Sequence, residues 1–358
     1  MQDDHGAEGL KIMMKAWVLR KIKDIRYEEC QIPAPAQGEV LVRVKAAGIC
    51  GSDIPRIYET GAHRMPLIPG HEFSGIAEET GKRVGVFPLI PCGKCTPCRA
   101  GHPEMCRSYD YIGSRRDGAF AEYVCVPKTN LIELPDEAGF EEAAMLEPMA
   151  VAVHAMRMAF EAKEDPDESI VICGLGTIGL LLLMFLAERG CKNIFVIGNK
   201  DSQRRRAEAF GITEDRFCDS RKEDVCEQIK EKTGGTQVFF ECVGKNECVK
   251  NGIDMTAPGG RVILVGNPYS DMMLEKETYW KILRNQLTVK GTWNSTFLKE
   301  DDPLRKEDDW HYVLNRLKEK RIDPSLLISH RFDPADLEKG FLIMRDKTED
   351  YCKIIMSL

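Results

Sequence analysis

The sequence lacks an excess of positive charge, a long uncharged apolar run, and any internal repeat or low-complexity tract. Its 358 residues carry 50 Lys and Arg against 57 Asp and Glu, for a formal net charge of −7. Proteins that bind nucleic acid present a basic stripe or patch, so this balance argues against that class. The richest apolar segment, GLLLLMFLAERG, is too short to span a membrane and ends in Glu188 and Arg189.

The N-terminus also lacks the basic segment followed by an apolar one that directs export, so we expect a cytoplasmic location. MQDDHGAEGLKIM is typical of a loose extension (1–13), and the regular pattern begins at Met14. Without an export signal, the 14 cysteines indicate metal binding and buried thiols rather than disulfides. A length of 358 residues with 43% hydrophobic content fits a globular chain of two domains.

Two patterns of predicted elements divide the chain. From Lys15 to about Pro135, short alternating strands such as EVLVRVKAAGI, KRVGVFPLI, AFAEYVCVP and LIELP predict a β-rich domain. After an acidic linker, EDPDES, strands alternate with helix-length segments: SIVICG, NIFVIG, TQVFFECVG, RVILVG and LTVKGTW. This alternation predicts an α/β unit whose parallel sheet is covered on both faces. After about Phe297 the pattern becomes mixed again.

A dense cysteine cluster lies in PCGKCTPCRAGHPEMC, where Cys92, Cys95, Cys98 and Cys106 have the spacing C-x2-C-x2-C-x7-C. Four thiolates from one loop complete a tetrahedral zinc shell and leave no position for water, so such a site stabilises the loop and performs no chemistry. Similar spacing also occurs around iron–sulfur clusters. The cysteines therefore predict a metal-binding lobe (90–108) and leave both kinds of site open.

A second, open metal site is predicted from residues that lie far apart in the sequence. GICGSD contributes Cys50, PGHEFSG contributes His71 and Glu72, and LEPMAVAVHA contributes Glu147. A cysteine, a histidine and a carboxylate give zinc an incomplete protein shell, which leaves a position for water or a substrate oxygen. Such a zinc ion polarises an alcohol or carbonyl oxygen. Asp53 is expected to orient His71 through its other ring nitrogen, as carboxylates beside metal ligands do.

A glycine-rich loop predicts a dinucleotide site. SIVICGLGTIGLLLLMFLAERG contains Gly174, Gly176 and Gly179 with the spacing G-x-G-x-x-G. The motif follows a predicted strand and opens an apolar helix, which is the context that the dinucleotide fingerprint requires. There the glycines let the backbone approach a pyrophosphate at the helix N-terminus.

These motifs occur in the order and at the separations found in a known family. CGSD, GHEFSG, the CGKCTPC…C lobe, LEP, GLGTIG and FECVG resemble the motifs of the zinc-dependent medium-chain dehydrogenases. CGSDIPRIYETGAH, GHEFSG and YIGSRRDGAFAEY carry a closer similarity to the polyol branch, and within it to the galactitol-1-phosphate 5-dehydrogenases. The resemblance implies zinc in the cysteine lobe and a zinc-dependent, NAD(P)-dependent oxidoreductase acting on a secondary alcohol or ketone.

The resemblance also implies a fold class: α/β, with a GroES-like β-rich catalytic domain plus a Rossmann domain with a doubly wound parallel sheet. The catalytic domain would comprise 14–160 and 296–358, the dinucleotide-binding domain 161–295, and the active site would lie in the cleft between them. A homodimer or homotetramer is expected, with RVILVG and LTVKGTW as edge strands at the subunit interface. An inactive relative that acts as a binding protein is the alternative, but it should have lost ligands or glycines that this chain keeps.

The polyol branch implies roles for the residues of the open metal site. Cys50, His71 and Glu147 would bind the catalytic zinc, with Glu72 near the metal as an alternate ligand or through water. Relatives commonly carry a histidine five residues after the zinc cysteine, on a proton path to solvent, and this sequence has a proline there. Ser52, or a zinc-bound water held by one of the two glutamates, would pass the proton instead.

The cofactor is expected to be NADP rather than NAD. NAD enzymes of this fold usually end the second strand with an acid that binds the ribose 2′-hydroxyl. NIFVIGNKDSQRRR instead places Gly198, Asn199 and Lys200 at that strand end, and Lys200 with Arg204 or Arg205 would neutralise a 2′-phosphate. A solvated basic helix face is the alternative, with Asp201 in the role of the acid. The other predicted cofactor contacts are Thr177, Ile178, Val243, Val265 and Gly266.

Two adjacent arginines lie in YIGSRRDGAFAEY, and a third follows the zinc cysteine. Arg56, Arg115 and Arg116 would frame the cleft, and guanidinium groups match phosphate oxygens bidentately. We therefore expect a polyol phosphate or sugar phosphate as substrate, bound by at least one of these arginines. The alternatives are a pairing of Arg115 or Arg116 with Asp117, a position at a domain or subunit contact, and a free polyol such as sorbitol as substrate.

Overall fold

The computed structural model describes residues 13–160, 167–222, 224–298 and 307–358. The predicted N-terminal extension lies outside these residues except for Met13, which begins the first strand. All 14 cysteines are described, and all are free thiols. Among the described residues, none of the helices combines the length and the apolar character needed to cross a bilayer.

The first part of the chain forms mostly antiparallel strands and short helices. They are β1 (Met13–Lys21), β2 (Asp24–Gln31), β3 (Glu39–Ile49), α1 (Asp53–Tyr58), β4 (Glu72–Ala77), β5 (Arg83–Val86), β6 (Leu89–Ile90), α2 (Thr96–Arg99), β7 (Asp110–Tyr111), β8 (Tyr123–Pro127), β9 (Leu131–Glu133), α3 (Phe140–Ala144) and α4 (Leu146–Ala159).

The middle part alternates strands and helices. They are β10 (Ile170–Cys173), α5 (Thr177–Glu188), β11 (Ile194–Gly198), α6 (Asp201–Glu208), β12 (Phe217–Asp219), α7 (Val225–Thr233), β13 (Thr236–Glu241), α8 (Asn246–Met255), β14 (Thr256–Leu264), α9 (Lys276–Arg284) and β15 (Thr288–Gly291). The last part contains α10 (Asp309–Lys318), β16 (Ile328–Phe332), α11 (Leu337–Asp346) and β17 (Lys353–Ser357).

A mixed sheet joins the first and last parts of the chain. Its strand order is β16-β17-β3-β4-β5-β9, and β8 also pairs with β3. The central strand β3 alternates as its sequence predicts: Val40, Val42 and Val44 are buried, and the intervening Leu41 and Arg43 are only partly buried. Because β17 and β4 both pair antiparallel with β3, the C-terminal strand lies beside the residues that the sequence predicts as metal ligands.

A parallel sheet forms the second unit, with the strand order β12-β11-β10-β13-β14-β15. Strands β10 and β11 are buried on both faces, which explains their continuous apolar sequences IVIC and IFVIG. The order reverses between β10 and β13, and ligands bind outside the carboxyl ends of the strands at such a point. The predicted α/β fold class, with a β-rich unit and a doubly wound sheet, is confirmed.

Two details of the parallel sheet differ from the sequence-based predictions. Strand β12 is only three residues long, FCD, and this length is too short to produce a recognisable pattern. RVILVG belongs to β14, which pairs with β13 on one side and β15 on the other, so the prediction that it is an edge strand is wrong. LTVKGTW contains β15, which does lie at the edge of the described sheet.

Candidate active site

A cavity of about 640 Å³ lies where the mixed sheet faces the parallel sheet. One wall comes from the turn after β3, from the segment that follows β7 and from the start of α4, and the other comes from α5 and the residues after β14 and β15. The predicted site residues that line the cavity are Cys50, Ser52, Arg56, His71, Glu72, Arg115, Glu147, Ile178 and Val265. The structure thus brings together residues from both units, as the predicted cleft requires.

A compact group of metal-ligating side chains lies at this cavity. One ligand atom each from Cys50, His71 and Glu72 lie within 4.8 Å of one another. The group forms because Cys50 follows β3, His71 precedes β4 and Glu72 begins it, and these antiparallel strands meet at this end. Gly48 makes room for it, since a Cβ there would lie 2.4 Å from Oε2 of Glu72.

The charges around His71 suit a cation. Its Nδ1 lies 3.5 Å from Oδ1 of Asp53, without hydrogen-bond geometry to any described residue. Burial acts to lower the pKa of His71, but the Asp53 carboxylate and the Cys50 thiolate outweigh it and raise the pKa well above its ordinary value. The anionic groups around His71 thus favour positive charge at this position. A thiolate, an imidazole and a carboxylate at this spacing fit zinc.

Glu72 has a partner that the sequence did not reveal. Its carboxylate forms an ion pair with Nζ of Lys353, and both side chains are almost fully buried. Nζ also donates a hydrogen bond to the backbone oxygen of Ile49, 3.2 Å away. Burial acts to lower the pKa of Lys353, but Glu72 outweighs it and raises the pKa. The only signal in the sequence is a lysine in an otherwise apolar strand, KIIM.

Glu147 lies on the cavity wall outside the compact group. Its Oε1 accepts a hydrogen bond of 3.2 Å from the hydroxyl of Tyr111, a residue that the sequence did not single out. Burial raises the pKa of Glu147 to about 7, and burial also raises the pKa of Tyr111. Tyr111 therefore remains a protonated donor at neutral pH. The structure gathers Cys50 and His71 with Glu72 rather than with Glu147, which differs from the ligand set implied by the resemblance.

The four cysteines of the lobe converge in the structure. Their Sγ atoms all lie within 4.8 Å of one another, with Cys95 at 3.4 Å from Cys98 and 3.9 Å from Cys106. Backbone N–H groups of Arg107 and Cys98 lower the pKa of Cys95 to about 6, so the loop already stabilises a thiolate. Four sulfur donors converging on one point fit a closed, tetrahedral metal site.

The glycine loop connects β10 to α5. Gly174 has φ +96°, and a Cβ at Gly179 would lie 1.9 Å from the backbone oxygen of Gly174, so close packing of strand and helix excludes any side chain there. A Cβ at Gly176 would meet nothing within 4 Å, which leaves open space at the N-terminus of α5. Thr177 begins this helix and donates its hydroxyl hydrogen bond to the backbone oxygen of Cys352, 2.8 Å away. The loop fits a pyrophosphate group.

A buried glutamate holds the loop that follows β13, where the sequence predicts a cofactor contact. Oε1 of Glu241, at the end of β13, accepts hydrogen bonds of 2.8 Å from the N–H groups of Val243 and Gly244. A Cβ at Gly266 would lie 2.2 Å from the nitrogen of Gly244, so the two loops pack backbone to backbone. The motif FECVG contains this glutamate. In the sequence, the only indication of its role is an acidic residue in an otherwise apolar predicted strand. Val265 lines the main cavity beside it.

The end of β11 carries no acid. Oε1 of Gln203 accepts a hydrogen bond of 2.9 Å from the N–H of Asn199. A Cβ at Gly198 would lie 2.9 Å from that oxygen and 2.9 Å from the Phe217 ring, so an aspartate there would displace both side chains. The side chain of Lys200 is half exposed, with Nζ 3.9 Å from a carboxylate oxygen of Asp350.

The other charged groups near this strand end are paired. Asp201 accepts a hydrogen bond of 3.1 Å from Arg221, so its carboxylate is already engaged. Arg204 lies 3.9 Å from Glu208 and 3.7 Å from Glu214, and it lines a separate depression beside β12. The side chain of Lys200 is therefore less constrained by ion pairs than that of Arg204.

The structure places two of the three predicted substrate arginines at the main cavity and the third elsewhere. Arg115 lines the main cavity, where its guanidinium stacks 4.5 Å above the Tyr109 ring, and no described carboxylate forms an ion pair with it. Arg56 also lines the cavity, and it pairs with the buried Asp53. Arg116 lies elsewhere: it pairs with Glu39 and lines a different cavity. This position contradicts the prediction that Arg116 lies at the substrate.

Comparisons with known proteins agree with this geometry. Residues 36–136 match the family described as the alcohol dehydrogenase GroES-like domain, and residues 177–318 match the zinc-binding dehydrogenases. Galactitol 1-phosphate 5-dehydrogenase from Escherichia coli (strain K12) is 32% identical over 86% of this chain and 89% of its own length. L-idonate 5-dehydrogenase from Vitis vinifera is 30% identical over 94% of this chain and 92% of its own length.

Solved structures show the same architecture. The crystal structure of galactitol-1-phosphate dehydrogenase from Escherichia coli superimposes with a TM-score of 0.87 at 30% identity, covering 96% of this chain and 100% of that one. A zinc-binding dehydrogenase from Sinorhizobium meliloti 1021, bound to NADP, gives a TM-score of 0.86 at 28% identity, with 97% and 100% coverage. The chain therefore belongs to the zinc-dependent, NAD(P)-dependent medium-chain alcohol and polyol dehydrogenases.

Proposed function

We propose that the protein transfers a hydride between a nicotinamide cofactor and the secondary alcohol or ketone of a phosphorylated sugar alcohol. The observation that carries this proposal is Arg115, an arginine without a described acidic partner in the same cavity as Cys50 and His71. The similarity to galactitol 1-phosphate 5-dehydrogenase supports it. The test is the ratio of kcat/KM for a hexitol phosphate to that for the free hexitol, which we expect to exceed about tenfold because charge-assisted hydrogen bonds contribute roughly 1.5–3 kcal/mol.

A dehydrogenase of an unphosphorylated polyol or sugar acid is the second candidate. It is supported by the similarity to L-idonate 5-dehydrogenase, at 30% identity. The metal site would serve both substrate classes equally, so the ratio of efficiencies separates them. A ratio near or below one assigns the second candidate.

Two zinc ions per chain are also proposed, and the two groups of donor side chains support this number. Cys50 and His71, with Glu72 or Glu147, would hold the catalytic ion, and the four cysteines of the lobe would hold a structural one. When bound, the catalytic ion lowers the pKa of the alcohol and polarises the carbonyl. The structural ion would stabilise the loop between β6 and β7. The segment after β7, which lines the cavity, follows directly on this loop.

The chain's own groups would bind and deprotonate the substrate. The hydroxyl of Ser52 donates to Sγ of Cys50 at 3.3 Å, so it lies beside the reacting position and is placed to pass a proton. A water held by Glu72 or Glu147 is the alternative proton carrier, since both carboxylates line the same cavity. Arg115 would hold the phosphate at the far end of the substrate.

We expect NADP to be preferred over NAD by kcat/KM, because Gly198 places no carboxylate at the ribose. Lys200→Ala should lower kcat/KM for NADP about tenfold, since it removes one charge-assisted phosphate contact, and should leave NAD kinetics unchanged. Lys339→Ala, on the exposed face of α11, is the matched control. A wild-type preference for NAD, or an equal loss with both cofactors, would contradict the assignment.

The protein is proposed to be a homodimer or homotetramer. Strand β15 lies at the edge of the described parallel sheet, and the neighbouring helix α9 exposes Tyr279, Trp280 and Leu283. An unpaired strand edge beside exposed apolar side chains favours docking of a second copy. Light scattering should give at least twice the mass of the chain, and Trp280→Arg should shift it toward the monomer. Leu326→Arg, a comparably exposed residue, is the control; a monomeric wild type refutes the proposal.

A cytoplasmic location is also part of the proposal. Its support is that all 14 cysteines are free thiols, the state that a reducing compartment maintains.

A further inference from the structure

The segment that follows the cysteine lobe carries Tyr111 into the cavity in a fixed orientation. Tyr111 pairs with Leu89 across β6 and β7. Its backbone oxygen accepts hydrogen bonds from the N–H groups of Ser114, Arg115 and Arg116, at 3.3, 2.9 and 3.2 Å. The strand pair on one side and this turn on the other hold the backbone from which the phenol extends into the cavity.

The Tyr111 side chain touches two candidate metal-site residues. Its hydroxyl donates to Oε1 of Glu147 at 3.2 Å. Its ring meets the His71 imidazole edge to face, with 5.7 Å between ring centroids and an interplanar angle of 65°. One tyrosine therefore constrains both the carboxylate and the imidazole.

We propose that Tyr111 is a positioning residue that occupies Oε1 of Glu147 and leaves Oε2 alone to serve the catalytic centre. The inference rests on the proposed metal-dependent function. A carboxylate with both oxygens free rotates and alternates between one-oxygen and two-oxygen contacts. A hydrogen bond on one oxygen of a buried carboxylate selects a single orientation.

The hydroxyl is removed with least disturbance by Tyr111→Phe, which keeps the ring against His71. Outer-sphere partners of metal ligands typically contribute about 10- to 100-fold to metal affinity or activity. We expect kcat to fall within that range while KM changes little. Release of one of the two zinc ions to a chromophoric chelator should accelerate by a similar factor. Tyr27→Phe, which removes a hydroxyl beside Trp17 and away from the cavity, should change neither quantity.

A double variant separates positioning from direct substrate contact. If Tyr111 acts through Glu147, adding Tyr111→Phe to Glu147→Ala should have no further effect on kcat or on zinc release. Equal losses in both backgrounds would overturn the proposal, as would a Tyr111→Phe variant with unchanged zinc release and kcat. The chelator measurement needs no substrate, so it reports on Tyr111 even if the wild type fails to oxidise polyols, an outcome that would refute the proposed function alone.

Discussion

Cys50→Ala should lower turnover by about three orders of magnitude, since a catalytic metal contributes several kcal/mol to stabilising the charge of the transition state. Cys50 directly follows β3 and belongs to the compact group with His71 and Glu72. Its removal leaves an imidazole and a carboxylate, too few donors to retain zinc tightly. Steady-state kinetics, with metal analysis by mass spectrometry, measures both consequences. The melting temperature should stay near that of the wild type, because Cys50 lies at the cavity surface.

Cys98→Ala is the matched contrast, since it removes a thiol from the other metal group. We expect it to reduce thermal stability or solubility, because a three-sulfur lobe no longer closes around its ion. Native protein should contain two zinc ions per chain, and each variant should lose a different one. One ion or none in carefully prepared native protein would contradict the two-site assignment, as would full turnover in Cys50→Ala.

Arg115→Gln should remove most of the preference for a phosphorylated substrate. The guanidinium is held over the Tyr109 ring in the main cavity, with no described ion-pair partner, so its charge is available to a ligand. Loss of one charge-assisted, bidentate contact is expected to lower kcat/KM for a hexitol phosphate roughly 10- to 100-fold. The weaker activity on the free hexitol should be spared, because that substrate has no phosphate to bind.

The adjacent arginine provides an internal control. Arg116→Gln removes the same charge one residue away, but Arg116 pairs with Glu39 and faces another cavity. The ratio of efficiencies for phosphorylated and free substrate cancels any general loss of stability. It should fall in Arg115→Gln and stay unchanged in Arg116→Gln. Equal effects of the two variants, or a better wild-type efficiency with free polyol, would refute phosphate binding at Arg115.

Features that depend on local chain geometry were predictable from the sequence. Three of the four lobe cysteines follow one another at intervals of three residues, and a short loop brings such thiols together whatever surrounds it. The same holds for the loop from Gly174 to Gly179, where strand and helix pack too closely for side chains. Strand β3 follows its alternating pattern because one face is buried more than the other.

Contacts between distant segments were not predictable in this way. The ion pair of Glu72 with Lys353 joins residues 281 positions apart, and it exists only because β17 and β4 flank β3. The hydrogen bond from Tyr111 to Glu147 likewise requires that the segment after the cysteine lobe lie beside the start of α4. Nothing in the spacing of these residues indicates that they meet.

The sequence by itself determined the fold class, the two groups of potential metal ligands in outline and the glycine-rich loop, because periodicity, thiol spacing and glycine spacing act over short stretches of chain. The tertiary structure alone decided which of the candidate side chains face the cavity. Arg115 and Arg116 are equivalent in the sequence, and the turn closed on Tyr111 directs one toward the metal site and the other toward Glu39. The physical reason is that side-chain direction depends on strand register and on charged partners from remote segments.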